Sequence, residues 1–107
     1  MYQKYQGDVS FIKIDKLPTS IKLKQLPKNG YVVAEGETTF HKHLLVADKT
    51  SEVLYGTDEN NNLYMEIKSG TATITHEEHK EITFEQGIYF IGKQVEYDEL
   101  GDRQVKD

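Results

Sequence analysis

The chain has 107 residues, 36% of them hydrophobic and 29% charged, with neither cysteine nor tryptophan. That length predicts one domain over 1–107 with a modest core, and the lack of cysteine excludes disulfides, thiolate zinc sites, iron–sulfur clusters and cysteine nucleophiles. The net charge of −5 is uneven: residues 1–28 hold six lysines against Asp8 and Asp15, and the rest is strongly acidic, which argues against a nucleic-acid binder because counterion release needs a dense basic face.

In chain order the signal is nearly all β. Val9–Ile14 alternates loosely and Ile21-Lys22-Leu23 cleanly. Tyr31–Ala34, Thr38–Val46, Glu52–Tyr55, Leu63–Lys68, Thr71–His76, Ile82–Phe84, Ile88–Ile91 and Val95–Tyr97 follow. They are short, rich in β-branched and aromatic residues, and set off by turn formers such as Pro18, Asn29-Gly30, Asp58–Asn62 and Gly70. No window of a dozen residues keeps a helical period. The spacing predicts an all-β fold, a small antiparallel barrel or sandwich. The charged tail after Leu100 is expected either to be loosely held or to form a last short strand. Phe11, Ile14, Val33, Leu45, Ile67, Ile74, Phe84 and Phe90 are the expected core. The longest apolar run, Leu44–Ala47, falls far short of the ~20 residues of a membrane helix. With no charged-then-apolar leader at the N-terminus, the expected location is the cytoplasm.

All four histidines fall in two tight pairs, His41-Lys42-His43 and His76-Glu77-Glu78-His79. On a strand, residues i and i+2 share a face, so His41 and His43 are expected side by side on the parity of Leu45 and Ala47. His76 shares its face with Ala72 and Ile74. A two-residue Glu77-Glu78 hairpin would set His79 opposite His76, yet His79 has the parity of Glu81 and Thr83. A bulge or a three-residue loop near Lys80 would resolve this, or His79 is a turn residue. Neutral imidazole is the commonest metal ligand. The expectation is therefore a divalent metal ion held by His41, His43 and His76 with His79 or Glu78, against a metal-free polar pocket. Zinc, iron, manganese and nickel all suit such donors. Among the carboxylates Glu35, Glu37, Asp48, Glu77 and Glu78, the first choice is Glu78 and the second Asp48.

The stretch Gly36-Glu37-Thr38-Thr39-Phe40-His41-Lys42-His43 resembles the first cupin motif, and Ile82–Ile91 resembles the glycine turn before the last cupin strand; the second cupin motif is absent. The resemblance implies a cupin-like barrel with a histidine metal site. Over nearly the whole chain the sequence also resembles a group of small phage and metagenomic proteins. The shared segments are Gln6-Gly7-Asp8-Val9, Leu17-Pro18, Ala34-Glu35-Gly36-Glu37-Thr38 before His-x-His, His-Glu-Glu-His, Gly87-Ile88-Tyr89-Phe90 and the ending from Gln94. That likeness implies a viral setting, in the host cytoplasm or the virion, and names no activity.

Two functions follow as expectations. One is a binding or structural module, stabilised by its ion and serving as a phage accessory or virion protein. The other is a metal-dependent enzyme whose open coordination position activates water, a carbonyl or dioxygen, with Glu78 moving a proton. Seven tyrosines are expected mostly at the core edge. Tyr2 and Tyr5, ahead of the first expected strand, are candidates for contact with a protein partner or a second copy, beside the ordinary reading of surface residues.

Overall fold

Short runs in which apolar and polar residues alternate can bury only one face, and two such sheets solve the problem by facing each other. The computed structural model of the protein describes residues 2–35, 42–93, 95–98 and 101–104. Its strands are β1 (Gln3–Gln6), β2 (Val9–Ile14), β3 (Lys24–Gln25), β4 (Tyr31–Glu35), β5 (Lys42–Ala47) and β6 (Glu52–Thr57). They continue with β7 (Leu63–Ser69), β8 (Ala72–Thr75), β9 (Ile82–Phe84), β10 (Gly87–Lys93), β11 (Val95–Asp98) and β12 (Gly101–Gln104). No helix occurs among the described residues, and so none is long and apolar enough to cross a membrane.

All pairings are antiparallel. A six-stranded sheet has the order β1-β2-β10-β7-β6-β3, a four-stranded sheet the order β4-β5-β8-β9, and β11 and β12 form a hairpin. The two larger sheets do not close into a barrel among the described residues; the arrangement is sandwich-like. Registers such as Phe11↔Ile91, Tyr89↔Met65 and Val53↔Ile67 align one apolar face of the six-stranded sheet. Leu45↔Ile74 and Ala72↔Phe84 do the same for the four-stranded sheet. The faces meet through aromatic rings: Phe84 of β9 lies 4.5 Å from Phe11 of β2 and 5.3 Å from Tyr89 of β10, centroid to centroid, and Tyr31 lies 4.5 Å from Tyr55.

The differences from the sequence reading have local causes. β1 is an additional strand: Gln3-Lys4-Tyr5-Gln6 lacks an apolar alternation, and only Gln6 of the four is buried. Ile21–Leu23 is not a strand; the short β3 follows it, and the segment crosses so close to Gly56 that a Cβ there would lie 2.6 Å from the Lys22 carbonyl oxygen. Ile14 and Phe90 are only half-buried because Phe11, Tyr89 and Ile91 take the inward parity of β2 and β10. Phe90 packs outside, 5.4 Å from Tyr64. Tyr2 packs edge-on against Phe84 and Tyr89 within its own chain, while Tyr5 is exposed. Of the tail, Gly101–Gln104 pairs with β11 as a last short strand.

Candidate functional site

The site forms where the β1–β2 corner of one sheet meets the ends of β5 and β8 of the other. Gly7 turns this corner at φ +59°, a left-handed conformation that suits glycine, and Gln6 and Asp8 on either side of it are both buried. On the opposing sheet His43 continues the inward parity of Leu45 and is fully buried. His76, just beyond β8, is buried as well.

The β8–β9 connection corrects the two-residue hairpin. The β8–β9 pairing runs from Ala72↔Phe84 to Ile74↔Ile82, and Thr75 pairs instead with Leu44 of β5. Residues 76–81 belong to neither strand, so the connection is longer than a two-residue hairpin. His79 lies within it, outside the parity of β9, and its side chain is half-buried.

Three imidazoles gather here. The His76 ring centroid lies 4.3 Å from that of His43 and 4.5 Å from that of His79, and the His43 and His79 rings are 6.0 Å apart and nearly parallel. Around them runs a hydrogen-bond network that crosses between the sheets. Gln6 Nε2 donates to the carbonyls of Ile74 at 3.1 Å and Lys80 at 2.9 Å, and Gln6 Oε1 meets His43 Nδ1 at 2.9 Å. His43 Nε2 faces Asp8 Oδ1 at 3.5 Å. The Glu78 amide donates to His76 Nδ1 at 3.0 Å, so a neutral His76 ring carries its proton on Nε2. An open groove of about 480 Å³, walled in part by Gln6, Gly7, His79 and Ile82, reaches the cluster from outside.

Of the expected site residues, the structure brings together His43, His76 and His79; His41 and Glu37 lie outside the described residues. The Glu78 side chain is exposed, and its backbone rather than its carboxylate contacts His76. Glu77 is exposed too, and its Oε2 accepts from the Lys42 amide at 3.1 Å, which ties the loop to β5. Asp48 is five residues beyond His43, roughly 16 Å at a strand's rise, and its carboxylate accepts from the hydroxyls of Thr71 and Thr73. Sequence reasoning missed Gln6 and Asp8, whose only signal was the turn Gln6-Gly7-Asp8. Among the described residues no group of three or more His, Asp or Glu side chains stands ready to hold an ion.

Fold and site together define an all-β sandwich-like protein with an imidazole-rich cluster buried between its sheets. The model of a domain of unknown function, DUF8820, matches residues 5–94, and the chain belongs to that family. No curated protein and no solved structure is significantly similar to it.

Proposed function

We propose that this is a small metal-binding β protein, in which a divalent transition-metal ion among His43, His76 and His79 ties one sheet to the other. The observation that carries the reading is the convergence of three imidazole rings from β5 and the β8–β9 loop within 4.3–6.0 Å of one another. Imidazoles crowd this closely at little cost when a cation shares their lone pairs. The sequence offers one more imidazole, His41, two residues before His43. His76 joins by giving up its bond to the Glu78 amide, because Nε2 can donate to an ion only when it carries no proton. His79, beside the groove, is the solvent-facing member.

A structural role is favoured over catalysis by the complete burial of His43 and by the small size of a domain that has no disulfide to staple it. The resemblance to phage sequences suggests an accessory or virion setting for such a domain. The test is elemental analysis of tag-free protein, followed by thermal unfolding of chelator-treated protein with and without zinc. Ion at about a hundred times its dissociation constant stabilises by about 2.7 kcal/mol, a rise in melting temperature of roughly 10–20 °C for a domain of this size. The reading is wrong if no stoichiometric metal is found and zinc leaves the melting temperature unchanged.

A further inference from the structure

β1 ends the six-stranded sheet and β9 ends the four-stranded one, and among the described residues no strand pairs with the outer side of either. Both edges wall the groove of about 480 Å³, residues 4–7 on one side and 79–83 on the other. In an antiparallel ladder successive residues direct their N–H and C=O groups to opposite sides. The Lys13 amide donates to the Tyr2 carbonyl at 3.2 Å. Lys4 and Gln6 therefore bond β2 at Phe11 and Val9, whereas Gln3 and Tyr5 turn their backbone donors and acceptors outward. Four residues of such an edge run about 13 Å, enough for a short added strand.

We propose that this groove takes an acidic peptide in extended conformation, which pairs antiparallel with the open edge of β1 as a further strand of the six-stranded sheet. The outward backbone groups of Gln3 and Tyr5 hold the segment, and charge selects it. Every second side chain of the added strand stands beside Lys4, and the others stand beside Gln3 and Tyr5. Lys4 is exposed, with its ammonium 6.0 Å from the Tyr2 ring centroid, and Lys80 is exposed on the opposite wall. Carboxylates on the first set meet these lysines, against Glu81 as the one acid of the lining. Apolar side chains on the second set lie by the Tyr5 ring, which is 59% exposed. A second copy of β1 is disfavoured by the same lysine. The register that uses both Gln3 and Tyr5 sets Lys4 opposite Lys4, and like charges directly opposite destabilise a pair. Lysine on an edge strand is a common guard against self-pairing, and an acidic strand turns that guard into a contact. No imidazole and no ion is needed for this pairing.

The experiment titrates the probe acetyl-Val-Glu-Val-Glu-Val-Glu-Val-amide into nitrogen-15-labelled full-length protein, with a control peptide carrying lysine in place of each glutamate. Amide shifts in the spectrum should gather on residues 3–7 and 79–83. Hydrogen exchange should slow at Gln3 and Tyr5 and change little at Lys4 and Gln6, which already bond β2. Lys4→Glu, at an exposed position, should weaken probe binding about fivefold or more, and the lysine peptide should bind wild type more weakly by at least as much. Methylating the valine amides, which face β1 in this register, should abolish binding, whereas methylating the glutamate amides should largely preserve it.

A probe that fails to bind wild type at millimolar concentration, or whose shifts gather at β3 or β4 instead, overturns the proposal. Equal binding of the two peptides, or of the probe to wild type and Lys4→Glu, overturns selection by charge. Binding that leaves exchange at Gln3 and Tyr5 unchanged overturns strand pairing. Protection of those two amides that rises with protein concentration, in the absence of peptide, makes a second copy the occupant and overturns the acidic partner.

Discussion

Replacing Gln6 with leucine tests whether one amide holds the two sheets in register around the site. The substitution keeps roughly the same volume and removes the donors to the Ile74 and Lys80 carbonyls and the acceptor at His43 Nδ1. A buried polar group left without its partner costs about 1–3 kcal/mol. The bonds to Ile74 and His43 are fully buried, whereas the one to Lys80 is partly accessible and can be replaced by water. Two buried losses, partly offset by the apolar leucine, predict a destabilisation of about 3 kcal/mol. That corresponds to a fall in melting temperature of roughly 12–24 °C. The assay is denaturant and thermal unfolding of chelator-treated protein, so that loss of a bound ion does not contribute. Gln3→Leu on the exposed part of the same strand should stay within about 0.5 kcal/mol of wild type. Gln6→Glu keeps an acceptor, loses both donations and adds a charge beside Asp8, so it should be worse than leucine. A Gln6→Leu protein as stable as Gln3→Leu would show that the network contributes nothing to the junction.

Three further outcomes are expected. Phe84→Ala, which removes the ring packed on Phe11 and Tyr89, should cost about 3–5 kcal/mol, and Phe90→Ala on the outer face well under half of that; equal denaturation midpoints would mean that the inward faces of β9 and β10 are misassigned. Burial, with smaller contributions from Tyr2 and Glu85, pushes the Tyr89 phenol up to about 12, and its hydroxyl donates to the Glu85 carbonyl at 2.7 Å. The unfolded chain then releases this proton near pH 10 while the folded one holds it, so stability unaffected below pH 10 should decline between about pH 10 and 12; Tyr89→Phe should flatten that decline in a pH series of unfolding midpoints. Finally, zinc added to chelator-treated protein should speed hydrogen exchange at the Glu78 amide, because His76 Nδ1 ceases to accept from it; slowed or unchanged exchange would show that His76 does not join the ion.

Much of the fold was legible because most of its strands bury one face in alternation. β2, β4 and β6–β10 each carry that period or a continuous β-branched run, and the turn formers mark their ends. β1 escaped notice for a physical reason. It is an edge strand whose first three side chains are exposed and whose one buried residue is polar, so neither hydrophobic period nor composition sets it apart. Ile21-Lys22-Leu23 erred in the other direction. Its alternation is genuine, yet the segment lies across Gly56, and pairing begins only at Lys24. Alternation records which side chains seek the interior and leaves open which backbone groups find partners.

The site divides along the same line. Parity within a strand was sufficient to aim His43 and His76 inward, since each is an extension of an apolar series on its own element. What parity cannot supply is the element that arrives from the other sheet, and the buried Gln6 and Asp8 come from there. Glu78 was the natural choice by proximity in sequence, but a hairpin tip turns its side chains to water and offers its backbone instead, and the Glu78 amide takes that role at His76. Asp8 is 35 residues from His43 in sequence, and only the glycine turn of the β1–β2 corner brings it to the imidazole. A buried carboxylate and a buried glutamine are costly to hold at the junction of two sheets. Apolar residues of similar volume would pack there without that cost. The polar choice is compensated at Gln6 by three hydrogen bonds that cross the junction, to the Ile74 and Lys80 carbonyls and to His43 Nδ1, and Asp8 adds a contact from the same corner to His43 Nε2.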